Sequence, residues 1–240
     1  MGLFAKKNCD ICGGKIGLLG NRKLEDGNMC KDCAGLLSPF LTDRRRTTLA
    51  EIKDHLAYRE ANKAEVAAFN VTRTLGDRTK VLLDEDKRKF IVTSSGRWKN
   101  ENPDVMTFAQ VTGCNTETHE GKTEIKTKDA EGKEVSFRPP RYRYYYDFYV
   151  TVFVNSPWFN EIRFQLNRSS IDQRNSVEYL DYESQANEIK AVLTQVRQDM
   201  RSGAAAANAP RIAQTCPLCG ATTTPDASGR CEYCGGALRA

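Results

Sequence analysis

The chain has no apolar run approaching the ~20 residues that a membrane span needs. Its opening, MGLFAKKNC, holds no apolar stretch long enough for a secretory signal. Gly2 follows the initiator Met, but Lys6 stands where the myristoylation pattern wants Ser or Thr. No Walker A loop, GxGxxG, GxSxG or HExxH occurs, so motif evidence for an enzyme is absent. Histidine is scarce, with His55 and His119 alone. These absences lead to the expectation of a cytoplasmic protein without catalytic machinery.

Cysteine, in contrast, is plentiful. Eight of nine cysteines fall into four C-x-x-C pairs: Cys9 and Cys12, Cys30 and Cys33, Cys216 and Cys219, Cys231 and Cys234. Cys114 stands alone. Paired spacing of this kind belongs to metal sites rather than to secreted disulfide scaffolds. The first four read C-x2-C-x17-C-x2-C and the last four C-x2-C-x11-C-x2-C. Each C-x-x-C turn aims two sulfurs at one point, and a following glycine lets the backbone curl around them. Gly13, Gly220 and Gly235 hold that position, while Ala34 replaces it in one pair. Four thiolates complete a tetrahedron that suits zinc and leave no open position for water or substrate. Two structural zinc ions are therefore expected, with iron or a redox dithiol as the other readings.

Zinc also changes the charge. The formal charge is +5. Eight thiolates subtract eight and two zinc ions return four, which leaves +1. A nucleic-acid footprint would have to come from clustered cations rather than from net charge.

Hydrophobic residues at 40% and charged residues at 28% describe a soluble globular composition. The order of patterns gives an α+β expectation in five parts. Residues 1–45 form a zinc-binding module and 46–70 a helical connector. Residues 71–200 form an antiparallel β-rich domain closed by a long helix. Residues 201–214 form a linker with a reach of roughly 20 Å, and 215–240 a zinc ribbon. Thr48 and Glu51 make a capping box before Leu49, Ile52 and Leu56, and this helix ends near Asn62 or fades by Phe69. KVLLDEDKRKFIVT reads as a hairpin turning at Asp84–Lys87, and later turns are expected at Gly121 and Gly132. Tyr182, Ala186, Ile189, Leu193 and Val196 form one helical apolar stripe. Several strands and one terminal helix are the element order of a pleckstrin-homology-like barrel, which the central region resembles to that extent.

RYRYYYDFYVTVF, from Arg141 to Phe153, is the densest aromatic stretch. Strand alternation puts Tyr142, Tyr144, Tyr146, Phe148, Val150, Val152 and Val154 on an inward face. Arg141, Arg143, Tyr145 and Tyr149 remain outside, with Asp147 among them. Such a surface could stack bases or make ordinary cross-strand contacts; Asp147 counts against a phosphate groove. Arg44, Arg45 and Arg46 precede the connector helix, where cations oppose the macrodipole. With Lys15, Arg22 and Lys23 they form a candidate basic patch for nucleic acid or an acidic partner, or a solvated charge run. Cys114 and His119 lie five residues apart, a conceivable nucleophile pair or a half-buried thiol beside a turn histidine. His55, on a charged helix, reads as solvated.

CDICGGKIGLLGNRKLEDGNMCKDCAGLLSPF resembles the N-terminal four-cysteine domain of an uncharacterised bacterial family, the domain of unknown function 4428, found mainly in Firmicutes. The resemblance covers about residues 8–60. It implies metal ligation by Cys9, Cys12, Cys30 and Cys33, and no known activity. CPLCG…CEYCG resembles a generic zinc ribbon. The expectation is a non-enzymatic interaction protein with a protein partner. Nucleic-acid binding is the first alternative, and membrane-surface binding through a pleckstrin-like barrel the second.

Overall fold

The computed structural model describes residues 7–207, 213–224 and 229–238, with side chains of the last long helix described through 195. The chain divides into two compact units, Met1–Arg197 and Gln198–Ala240.

The first unit opens with two small hairpins. β1 (Lys7–Asn8) pairs with β2 (Lys15–Ile16), and β3 (Arg22–Lys23) with β4 (Asn28–Met29). α1 (Lys31–Gly35) follows, then a 3-10 turn at Arg44–Arg46. α2 runs from Leu49 to Ala68 and carries the expected capping box. Thr48 Oγ1 accepts from the Glu51 N–H, and Glu51 accepts from the Thr48 N–H at 2.8 Å. The leading turns of α2 lay Leu49, Ile52 and Leu56 against Leu24, Met29, Leu37 and the cysteine cluster.

Its trailing turns bury something the apolar pattern does not reveal. His55, Arg59, Asn62 and Val66 recur at helical spacing and are all buried. Arg59 Nη1 meets Asp104 Oδ1 at 2.9 Å. Arg59 also donates to the carbonyls of Leu36 and Asn102. Asn62 donates to Pro103 O at 2.8 Å and accepts from the Val105 N–H at 3.0 Å. Ser38 Oγ donates to the other Asp104 oxygen at 2.7 Å. His55 is fully buried, which corrects the solvated reading: its Nε2 accepts the Ser38 N–H at 3.0 Å. Its Nδ1, which therefore carries the proton, has no hydrogen-bond partner among the described residues, and the imidazole packs edge-on against Trp158 with ring centroids 4.9 Å apart.

The β-rich part contains two antiparallel sheets. β5 (Arg73–Leu75), β6 (Lys80–Asp84), β7 (Lys89–Thr93) and β8 (Val105–Thr107) form one in sequential order, with α3 (Trp98–Glu101) inserted before β8. The expected hairpin turn lies between Asp84 and Lys89. β9 (Val111–Lys128), β10 (Glu134–Val154) and β11 (Glu161–Gln165) form the second, in the order β11-β10-β9. The sheets share a core with α4 (Val177–Ala207): Phe90, Phe148, Val150, Ile162, Leu166, Ile189 and Leu193 are all packed there. They are two open sheets and not a closed barrel, which corrects the barrel expectation. Tyr182, Ala186, Ile189 and Leu193 face this core as expected, and Val196 lies outside the described side chains. α4 continues through 201–207, where the linker was expected to begin. Four consecutive alanines there favour helix. Residues 208–212 lie outside the described residues.

The inward face of β10 holds only from Tyr146 onward. Tyr142 and Tyr144 are exposed. The reason is length: β11 pairs with β10 only between Tyr149 and Phe153. Before that, the β9–β10 ribbon runs on with both faces largely in solvent. Alternation identifies a face but not whether anything covers it. Gly132 makes its turn at φ +81°, whereas Gly121 is not a turn. It sits in β9 opposite Tyr145, where an added Cβ would lie 2.1 Å from the tyrosine ring. Asp147 is buried, not outward, and its Oδ1 accepts from Gln165, Asn167 and Ser170.

Burial, opposed by the charge of Asp104 and reinforced by that of Arg59, lowers the His55 pKa from its ordinary value of about 6.5. The unfolded chain then binds the extra proton more readily, so this contribution is complete above about pH 6.5 and is lost as pH falls through the lower folded value. Urea midpoints measured from pH 5 to 8 should fall more steeply in acid for the natural chain than for His55→Gln. Comparing the two curves separates the histidine from the metal thiolates, which also take up protons.

Candidate metal centres

The sulfurs of Cys9, Cys12, Cys30 and Cys33 lie within 4.8 Å of one another, as do those of Cys216, Cys219, Cys231 and Cys234. A tetrahedral zinc with Zn–S bonds near 2.3 Å sets its sulfurs about 3.8 Å apart. The Cys12–Cys30 separation is 3.9 Å, Cys216–Cys234 is 3.6 Å and Cys219–Cys231 is 3.8 Å. Each group can hold one metal ion, and the soft four-thiolate donor set fits zinc.

Local backbone explains why the turns form. In three of them the first cysteine carbonyl accepts the N–H of the following glycine: Cys9 from Gly13, Cys216 from Gly220, Cys231 from Gly235. Those glycines sit at φ between +69° and +73°, where a side chain would be strained. The fourth turn differs. Cys30 is the N-cap of α1, and the Ala34 N–H donates to Cys30 O as the helix proceeds. A helical φ needs no glycine, which accounts for the alanine there.

Backbone N–H groups also prepare thiolates. Burial alone would raise the Cys9 thiol, but N–H bonds from Cys12, Cys30 and Ile11 bring it down to about 6. N–H groups of Cys219 and Leu218 lower Cys216 to about 6. Burial and the neighbouring sulfurs push Cys33 up; at Cys234 an N–H from Gly236 lowers the thiol, but the neighbouring sulfurs and burial together outweigh it and raise it to about 12. With no metal, four close sulfurs cannot all ionise; a divalent cation removes that conflict and supplies the charge that holds all four as thiolates.

The basic residues come together in part. Arg44 Nη1 donates to Lys23 O at 2.9 Å, and Arg22 Nη1 to Leu19 O at 3.2 Å. Burial, then the charges of Arg22 and Arg45, lower the Arg44 pKa. The cost of arginines before α2 is met locally: Glu51 caps the helix, and Asp26 Oδ1 accepts the Leu49 N–H at 2.7 Å.

The outer strand residues separate into different surroundings. Arg143 and Tyr145 line a cleft of about 430 Å³ with Thr123, Ser170 and Asp172. Arg141 lies over the Phe137 ring. Tyr149 lies under the Arg163 guanidinium, beside a cleft of about 680 Å³ that also touches Phe40, Arg59 and Asp104. Cys114 is buried, which pushes its thiol up to about 11, while His119 is exposed on the opposite face of β9. They do not form a nucleophile pair.

Two features escape the reading by periodicity. One is the Arg59–Asp104 seam. The other is a set of apolar side chains at the tips of the metal modules: Leu18 and Leu19 in the β2–β3 turn, and Leu218 and Tyr233 inside C-x-x-C turns. The signal for these was present as apolar residues inside Gly- and Cys-rich turns, where neither helix nor strand would bury them.

The sequence pattern of the domain of unknown function DUF4428 matches residues 7–55. No curated protein and no solved structure matches the chain. No helix among the described residues is long and apolar enough to cross a membrane.

Elemental analysis should find two zinc ions per chain, and Cys9→Ser should reduce this to about one. Removing the metal with a chelator should unfold the first module, because its buried apolar core is only Leu24, Met29, Leu37 and Ile52 beside Cys9 and Cys33.

Proposed function

We propose that the protein is a non-enzymatic, zinc-stabilised interaction protein. Its C-terminal module presents a small docking surface to a protein partner. The observation that carries this reading is the exposure of Leu218 and Tyr233, each 74% accessible. Both occupy the third position of a C-x-x-C turn, so the metal fixes the backbone on either side of them. Leu218 lies across the second turn, with its Cδ1 2.4 Å from where a Cβ on Gly236 would sit. Glycine at 236 is what lets the leucine lie flat there. A rigid apolar surface in a module this small is costly to leave in water unless it is used. A closed four-thiolate shell also fits a structural role for the metal rather than catalysis.

Nucleic-acid binding ranks second. The β9–β10 ribbon favours it, with Lys122 over Tyr142 at 4.6 Å and Arg141 over Phe137. Against it, Glu120, Glu124, Asp129, Glu131 and Glu134 interleave with the ribbon's cations. Membrane binding through a pleckstrin-like barrel loses its basis in the two open sheets.

Cross-linked capture with the zinc-loaded protein should retain a protein that Leu218→Asp/Tyr233→Asp loses by tenfold or more, since such central apolar anchors dominate binding. Equal capture by both forms, with zinc content unchanged, would contradict the docking surface.

A further inference from the structure

The turn between β2 and β3 carries Gly17-Leu18-Leu19-Gly20. Leu18 is 80% exposed and Leu19 89%. The turn is not loose: the Gly20 N–H donates to Gly17 O at 3.0 Å, and Arg22 clamps Leu19 O. Two leucines are thus held out into water by a closed turn whose flanking strands lead to the four cysteines. Leucine inside the same module is buried where it can be, as Leu24 and Leu37 show.

The collar around this tip is cationic. Arg22 and Lys23 follow the turn directly, and Lys15 precedes it. Arg44 is bonded to Lys23 O and stands close to Arg22. Among the described residues, none of Lys15, Arg22, Lys23, Arg44, Arg45 and Arg46 has an ion-pair partner. Of the nearby acids, Asp10 accepts the Asn28 N–H and Asp26 the Leu49 N–H, while Glu25 and Asp43 form no ion pair with these cations among the described residues.

We propose that this turn is a membrane-contacting tip. Leu18 and Leu19 enter the acyl boundary of an anionic lipid surface, and Arg22, Lys23, Arg44 and Arg45 engage its headgroup phosphates. Each half of the arrangement needs the other. Two leucines alone bury too little area for stable anchoring, and a few cations alone give only a salt-sensitive attraction. A nucleic acid would satisfy the cations but would leave the leucines in water. The proposal is independent of the docking surface on the C-terminal module.

The test is sedimentation of the full zinc-loaded chain with phosphatidylglycerol-containing vesicles and with phosphatidylcholine vesicles. Binding is expected to the anionic vesicles only, weakening as salt rises. Leu18→Ser/Leu19→Ser should reduce it about tenfold or more, given the area removed from water. Arg44→Ala/Arg45→Ala should also weaken it and flatten the salt dependence. Leu19→Trp should show a blue-shifted emission on the vesicles. Both leucines are exposed, so zinc content and circular dichroism should match the natural chain. No binding to anionic vesicles at low salt would overturn the proposal, and so would binding indifferent to the leucines. Tight binding to duplex DNA that needs the arginines and ignores the leucines would overturn it in favour of nucleic acid.

Discussion

One buried carboxylate ties the segment leaving the metal module, α2 and the approach to β8 to one another. Asp104 is completely buried and receives Arg59 Nη1 on one oxygen and Ser38 Oγ on the other. Tyr58 feels it as well: burial, then the charge of Asp104, raises that phenol to about 12. Ser38 belongs to the segment leaving the metal module, Tyr58 and Arg59 to α2, and Asp104 to the start of β8's approach. Three pieces of chain with no common apolar stripe therefore meet at one charge. A buried carboxylate is tolerable only when every lone pair is occupied, so the seam demands that all three pieces be in place together.

That constraint gives α2 two faces of different chemistry. Its first turns complete a core that a metal must stabilise, because so few apolar side chains are available to it. Its later turns dock on the β domain through the polar seam together with buried Val66 and the contacts of His55 and Tyr58 with Trp158. The metal fixes the module's internal turns, and the seam fixes the module to the β domain. The tips that face solvent, Leu18 and Leu19, are free of both duties. The C-terminal unit repeats the principle with fewer residues, where Cys216, Cys231 and Leu238 are its buried cluster.

Much of this is legible in the sequence where chemistry is local. Cysteine spacing identifies both metal centres, and the Thr48–Glu51 pair identifies the start of α2. Alternation in β10 identifies its buried face from Tyr146 to Val154 and the stripe of α4 identifies its packing side. What sequence does not disclose is what covers a face. Tyr142 and Tyr144 continue the alternation past the point where β11 and α4 offer cover. His55, Arg59 and Asn62 follow a helical period, but polar residues on that period look like a solvated face until Asp104 is brought against them from 45 residues away. Asp147 is hidden from sequence for the same reason: its partners Gln165, Asn167 and Ser170 lie on the return strand and the loop beyond it.

The central claim is that the seam couples the metal module to the β domain. Its most direct test is a double-mutant cycle of Arg59→Ala and Asp104→Ala. Urea unfolding would be followed in parallel by zinc release and by tryptophan fluorescence. Each single replacement should cost about 3–5 kcal/mol by stranding a buried charge or its partners, and the double replacement clearly less than the sum. In the single variants, zinc release should precede the loss of tryptophan signal. Single variants that unfold like the natural chain on both signals would contradict the account and make the metal module an independent appendage.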